Sequence, residues 1–291
     1  MESDSRLKRV ADRARHVKIS ARLRAFQSRI LEYEAVFAGK PSTWYPSSMS
    51  HLHRFYISPE ADADREIVLS NEEAHHALHV VRLRPGERAL LFDGCGREIE
   101  GVVSRVTHRE VAIAPEQERR FPKPSTRVVI AQAWLLREKS VEHLIHHGTE
   151  IGVSEFRFFR ARHSEKTPKL NPKWERCAIE TCKQCCRTWL PTFKVADDLA
   201  TVLGFSNGPI LIATQSESPH PIAAALESRK EACEITLLVG PEGDFTQEEV
   251  EKAMELSARP ISLGDATYRS EVAATLAASL ILYELGALGP R

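Results

Sequence analysis

Two loops near the C-terminus carry the side chains best suited to chemistry. The first, Leu237-Leu238-Val239-Gly240-Pro241-Glu242-Gly243-Asp244-Phe245-Thr246, runs an apolar strand into two glycines that flank a proline. Gly240 and Gly243 allow a tight turn and a close approach of backbone to a ligand. Thr246 and Glu249 then have the spacing of a capping box, which opens the following helix. The second loop, Leu263-Gly264-Asp265-Ala266-Thr267-Tyr268-Arg269-Ser270-Glu271, again joins a strand to a helix. That helix starts with Arg269 and Glu271 and continues in small residues that permit close packing (Val272-Ala273-Ala274-Thr275). An arginine and a glutamate beside such packing need partners, so they are candidates for charge stabilisation or proton transfer. Taken singly, each loop also fits an ordinary strand–turn–helix connection.

Other chemistries find less support. No G-x-G-x-x-G follows a strand, and neither a P-loop, an H-E-x-x-H nor a G-x-S-x-G occurs, so a conventional nucleotide, zinc-protease or serine-hydrolase site is not expected. Of six cysteines (Cys95, Cys177, Cys182, Cys185, Cys186 and Cys233), four share one expected helix. With no second paired motif to complete a zinc site, they read as packing thiols, and no metal is expected.

The elements that position the loops follow from periodicity. From 127 onward, strands (Val128–Trp134, Glu155–Arg160, Ile210–Thr214, Ile235–Val239, Pro260–Leu263) alternate with helices (Lys139–Ile151, Pro172–Thr188, Pro221–Lys230, Gln247–Leu256, Glu271–Leu285). Such alternation predicts an α/β domain over 127–291, with a mostly parallel sheet and ligands beyond the carboxyl ends of its strands. Residues 50–118 offer short strands (Ala89–Phe92, Glu98–Val106, Glu110–Ala114) and one helix, expected to open on a capping box of Ser70 with Glu73 and to run to Arg82. They predict a small β-barrel, joined to the α/β domain by a proline-containing linker at 119–126. Residues 1–48 read as a basic extension, disordered or upstream of a true start at Met49.

The 291 residues carry 40 Lys and Arg against 40 Asp and Glu, with 42% hydrophobic residues, an ordinary globular composition. No run is long and apolar enough to span a bilayer, so no membrane association is expected. The zero net charge conceals a pattern. Residues 1–29 hold 9 basic and 3 acidic side chains, 121–190 hold 13 and 7, and 191–291 hold 7 and 15. The basic block of Arg157, Arg160, Arg162, Lys166, Lys169, Lys173 and Arg176 reads either as a solvated face or as a surface for a polyanion.

In order and spacing the chain resembles the SPOUT methyltransferases, and within them the RsmE family, over roughly residues 50–286. His53-Arg54-Phe55-Tyr56 is similar to that family's first strand. His75-His76 through Leu83, with Gly86 and Asp93-Gly94, resembles its PUA-like RNA-binding domain. Thr149-Glu150-Ile151-Gly152-Val153 is similar to its T-E-L-G-V signature, and Glu180, Gln184, Arg187 and Pro191 to its following helix and exit. Gly240-Pro241-Glu242-Gly243 and Leu263-Gly264, with Arg269 and Glu271, resemble its two cofactor loops. Three departures bear on the pocket. Asp244 stands where the family has glycine, Val272 where it has threonine, and Thr267-Tyr268 where it has an aliphatic pair.

The resemblance implies a C-terminal trefoil-knot α/β domain behind a PUA-like β-barrel, and a cytoplasmic homodimer. It implies S-adenosyl-L-methionine as cofactor and methylation of N3 of a uridine in small-subunit (16S) rRNA, free or in the assembled subunit. The cofactor residues it implies are Val239, Gly240, Pro241, Glu242, Gly243, Leu263, Gly264, Tyr268 and Arg269. Arg269 would stabilise the uracil anion or orient the base, and Glu271 would orient Arg269 or take the N3 proton. Arg54, Arg82, Arg84, Arg157, Arg160 and Arg162 would contact RNA phosphates. Two alternatives stay open: methylation of another RNA base or a ribose 2′-oxygen, and a non-catalytic RNA-binding homologue.

Overall fold

The computed structural model describes residues 52–214, 220–227 and 232–288. The basic extension expected at 1–48 lies outside them, as does the end of the helix expected over Pro221–Lys230. Two sheets are built on this chain.

The first has five strands: β1 (His53–Tyr56), β2 (Ile67–Val68), β3 (Arg88–Phe92), β4 (Arg97–Val106) and β5 (Val111–Arg120), in the order β1-β3-β4-β5-β2. β1 pairs with β3 in parallel and the other pairings are antiparallel. Phe55, Leu91, Ile99, Val103 and Ile113 are buried in its core. β5 continues through Arg120, two residues into the segment expected to link the domains.

Helix α1 (Asn71–His75) opens this region differently from the expectation. Ser70 makes no side-chain cap, and the chain passes after His75 into a π turn over His76–Val81, ending at Arg82 in the left-handed region. The reason lies in a competing partner. Glu73 is drawn into a buried ion pair with Lys183 at 2.5 Å, which takes it away from the capping box.

The second sheet has six strands, all parallel: β6 (Arg127–Ala133), β7 (Glu155–Phe159), β8 (Thr192–Ala196), β9 (Ile210–Ala213), β10 (Glu234–Val239) and β11 (Arg259–Ile261). Their order is β11-β9-β10-β6-β7-β8. The central strands are covered on both faces and read as continuous apolar runs, as in Val128-Val129-Ile130-Ala131.

Helix α2 (Glu138–Ile151) buries Val141, Leu144, Ile145, Gly148 and Thr149, one face at helical spacing, and closes at Gly152 with φ +114°. Helix α3 (Pro172–Cys185) is capped by Asn171, and α4 (Leu199–Gly204), α5 (Ile222–Leu226) and α6 (Gln247–Glu255) follow. The expected capping box of Thr246 and Glu249 is present at α6. Helix α7 (Ser270–Glu284) packs Ala274, Ala277, Ala278, Ile281 and Leu282 into the core beside α2. Strand β8 and helix α4 were not anticipated from the sequence.

The sheets meet at α3 and its exit. The Leu190 amide donates to the Gly94 carbonyl (2.9 Å) and the Gly96 amide to the Thr188 carbonyl (2.9 Å). The Trp189 indole donates to the carbonyls of Phe121 (3.3 Å) and Pro122 (3.1 Å).

Candidate functional site

The order in which strands are added to the second sheet reverses after β8, so that β9, β10 and β11 lie on the far side of β6. Ligands in open parallel sheets bind beyond the carboxyl ends of strands at such a switch. A cavity of about 690 Å³ sits there, lined by the ends of β9 and β10 and by the 262–270 loop after β11. Its size suits a small organic ligand.

Val239, Gly240, Pro241, Glu242, Leu263, Gly264, Tyr268 and Arg269 all line the cavity, where the resemblance had put cofactor residues. Gly243 does not. It packs instead on His163, whose Nδ1–H donates to the carbonyls of Gly243 and Asp244, both at 2.9 Å. The cavity also includes Ala213 and Thr214 at the end of β9, which sequence reasoning missed. Their signal was position alone, at the carboxyl end of an expected parallel strand.

Local chemistry fixes the loops. At Gly240 a Cβ would lie 3.0 Å from the Asp244 carboxylate and 3.2 Å from the Phe245 amide, so any other residue would have to push the turn open by a few tenths of an ångström. Asp244 has φ +59° and accepts from the Phe245 amide at 2.8 Å. Left-handed backbone favours glycine, and aspartate is among the few side chains that tolerate it. The departure at Asp244 thus keeps the turn.

Glu242 lines the cavity, and its carboxylate accepts the Leu136 amide at 3.0 Å, tying the first loop to the segment after β6. Behind both loops the fully buried Gln132 donates to the Gly240 carbonyl (2.9 Å) and the Ser270 hydroxyl (2.8 Å). Ser270 in turn donates to the Gly240 carbonyl, closing a ring of three groups.

Arg269 and Glu271, paired by sequence, diverge. Arg269 lines the cavity, and its guanidinium has no hydrogen bond or ion pair among the described residues. Glu271 lies outside the lining and accepts the Ser140 hydroxyl of α2 at 3.1 Å.

The charge of the lining restricts what fits. Among the described residues it holds the carboxylates of Glu242, Asp244 and Asp265 against the single cation Arg269. A polyphosphate would meet repulsion there, whereas a compact cationic ligand would be attracted. S-adenosylmethionine, an adenosine with a sulfonium and an amino-acid tail, has that character and no phosphate.

Two of the six arginines expected to contact RNA are not available for it. Arg157 is 1% exposed and holds Glu155 (2.5 Å) and Glu234 (3.0 Å). Burial favours a neutral Glu155, but hydrogen bonds and charge from Arg157 and Lys194 outweigh it and hold the carboxyl below its usual range. Arg54 is 6% exposed, 2.9 Å from Glu98, and donates to the Arg187 carbonyl at 3.1 Å. Each is a buried cation neutralised by a carboxylate distant in sequence, so neither meets solvent phosphate. Arg82, Arg84, Arg160 and Arg162 are exposed. Phe158 and Phe159 are buried and belong to the core.

Known proteins resemble this chain in sequence and fold. Residues 122–282 match a family model described as an RNA methyltransferase domain, and residues 69–116 match an RNA methyltransferase PUA domain. A protein of Synechocystis named ribosomal RNA small subunit methyltransferase E is 25% identical over 243 residues, covering 81% of this chain and 78% of that one. Its namesake in Mycobacterium tuberculosis is 28% identical over 255 residues, covering 81% and 90%. Among solved structures, a probable rRNA-methyltransferase from Porphyromonas gingivalis is 29% identical with a TM-score of 0.72, covering 81% of this chain and 99% of that one. The Neisseria gonorrhoeae ribosomal RNA small subunit methyltransferase E bound to S-adenosyl methionine shares the fold at 20% identity. Its TM-score is 0.71, and the match covers 80% of this chain and 98% of that one.

Proposed function

Since the chain belongs to the RNA methyltransferase family that contains the RsmE proteins, we propose that it methylates N3 of a uridine in small-subunit rRNA with S-adenosylmethionine. The cofactor supplies an electrophilic methyl group. Gly240, Pro241, Leu263 and Gly264, which line the cavity, would hold its adenosine, and the carboxylates of the lining would favour its positive charge. This chain's own work is to place the base and manage one proton. Uracil N3 must lose its proton before or during attack, which leaves negative charge on the ring.

One observation carries the reading: the guanidinium of Arg269, on the cavity wall, has no partner among the described residues. From there it would stabilise that charge in the transition state. Glu271 acts as a positioning residue, bracing the start of α7 against α2 through Ser140. The exposed Arg82, Arg84, Arg160 and Arg162 form the phosphate-contacting surface, together with Lys166, Lys169 and Lys173. A second copy of the chain covers the outer face of α7, where Val272, Leu280 and Tyr283 are exposed on a helix that is apolar on both sides. No described helix is long and apolar enough to cross a membrane, and cytoplasmic work on rRNA follows from the substrate.

The deciding experiment maps modified nucleotides in small-subunit rRNA from a deletion strain, before and after complementation. Loss and recovery of one N3-methyluridine supports the proposal. Loss of a ribose 2′-O-methyl group instead would overturn the N3 assignment.

A further inference from the structure

We propose that His146, His147 and Glu150 on α2 form a site for a divalent first-row transition ion, with zinc as the expected occupant. Glu150 follows His146 by four residues and His147 by three, the two spacings that share a helix face. The three side chains each offer a ligand atom within 4.8 Å of the others. His146 Nε2 stands 3.3 Å from Glu150 Oε1, and His147 Nδ1 stands 3.1 Å from Oε2. Two imidazoles and a carboxylate suit zinc and its neighbours, whereas magnesium and calcium prefer oxygen ligands throughout. None of the three residues lines the cavity described above.

A second observation concerns protons. The Thr181 hydroxyl donates its only hydrogen to the Cys177 carbonyl at 2.8 Å. His146 Nδ1 lies 2.8 Å from that same hydroxyl oxygen, so Nδ1 carries the ring proton and donates it. In the neutral ring, Nε2 then presents a lone pair to a carboxylate oxygen. Two acceptors face each other, and a cation between them, a proton or a metal ion, resolves the contact. Metal-bound histidines commonly have their other nitrogen held by such an outer hydrogen bond, the part Thr181 plays here. His143, with its ring centroid 6.3 Å from that of His147, is one turn away on the same helix and offers a further ligand.

The test is calorimetric titration of the untagged full chain with zinc chloride, its thiols kept reduced by a phosphine, with magnesium chloride as competitor. Wild-type protein is expected to take up one equivalent that the His146→Asn/His147→Asn variant lacks, with unchanged circular dichroism. Thr181→Val should weaken that binding about tenfold by removing the orienting bond. Zinc uptake unaltered in the double variant, or none in the wild type, would overturn the proposal, as would displacement of zinc by magnesium. Unchanged affinity in Thr181→Val would overturn the proton argument on which it stands.

Discussion

The amide of Gln132 and the hydroxyl of Ser270 meet at 2.8 Å across 138 residues of sequence, and both contact the carbonyl of Gly240. A residue at the end of β6 thereby holds the two loops that line the cavity at one separation. The loops have no other buried polar tie of this kind among the described residues.

Replacing Gln132 with leucine should therefore loosen the pocket before it disturbs the fold. The Ser270–Gly240 bond would remain, but losing the two buried bonds that Gln132 donates to those groups costs about 1–3 kcal/mol. Calorimetry should show roughly tenfold weaker S-adenosylmethionine binding, since 1.4 kcal/mol corresponds to one decade. Unaltered affinity in a folded Gln132→Leu protein would show that the ring does not set the loops.

Arg269→Ala is expected to slow single-turnover methylation by about 10²–10³-fold, the usual cost of removing one donor aimed at developing charge. Arg269→Lys should recover part of that rate. Glu271→Gln keeps a group able to accept from Ser140, so its loss should stay under about tenfold. An equal loss in Glu271→Gln and Arg269→Ala would instead give the carboxylate a direct part in proton transfer.

At Asp244 the backbone geometry leads to a pair of opposite outcomes. Glycine there should preserve cofactor binding and leave stability level or slightly higher, because φ is +59°. Valine should lower stability by about 1–2 kcal/mol, because a branched side chain opposes left-handed backbone. Thermal unfolding of the two variants distinguishes them.

Arg157→Met would remove the buried one of two cations that bridge Glu155 and Glu234. Arg127 stays 2.6 Å from the first and 2.9 Å from the second, so the loss at neutral pH should be about 1–3 kcal/mol, below that of a fully unpaired buried charge. The pH dependence should weaken. In the native protein Glu155 is held below its ordinary range, so its contribution is present above that range and fades as pH falls through the lowered value. In the variant, Arg127 and Lys194 alone hold the carboxyl ionised, so less stability should be lost on acidification than in wild type. Denaturant midpoints from pH 4 to 8 test this.

Local pattern made much of this molecule legible. The strands around Val128, Ile210 and Ile235 are apolar runs, and the two loops declare themselves by glycine, proline and a capping box within a few residues. Distant pairing was not legible. Arg157 reads as surface charge until Glu234, 77 residues away, is brought beside it by the β10–β6–β7 register. Glu73 likewise reads as a capping residue until Lys183 claims it. β8 escaped because Thr192–Ala196 forms a short edge strand that alternates weakly between exposed and half-buried residues. Glu150 reads only as part of a family signature, and nothing in the sequence shows that His146 and His147 join it or where Thr181 would come to lie.

The exit of α3 threads between the two sheets. At Gly94 an added Cβ would fall 2.4 Å from Leu190, and at Gly96 one would fall 2.5 Å from Trp189, so the seam has no slack for a side chain. The five-stranded sheet is then less a tethered hook than the fixed arm of a caliper. Under the proposed function, an RNA feature gripped there would stand at a set span from the cavity, and a target would be selected by length as well as by shape. Lengthening the 121–126 connection would leave that span intact, whereas a methyl group at Gly94 would reset it.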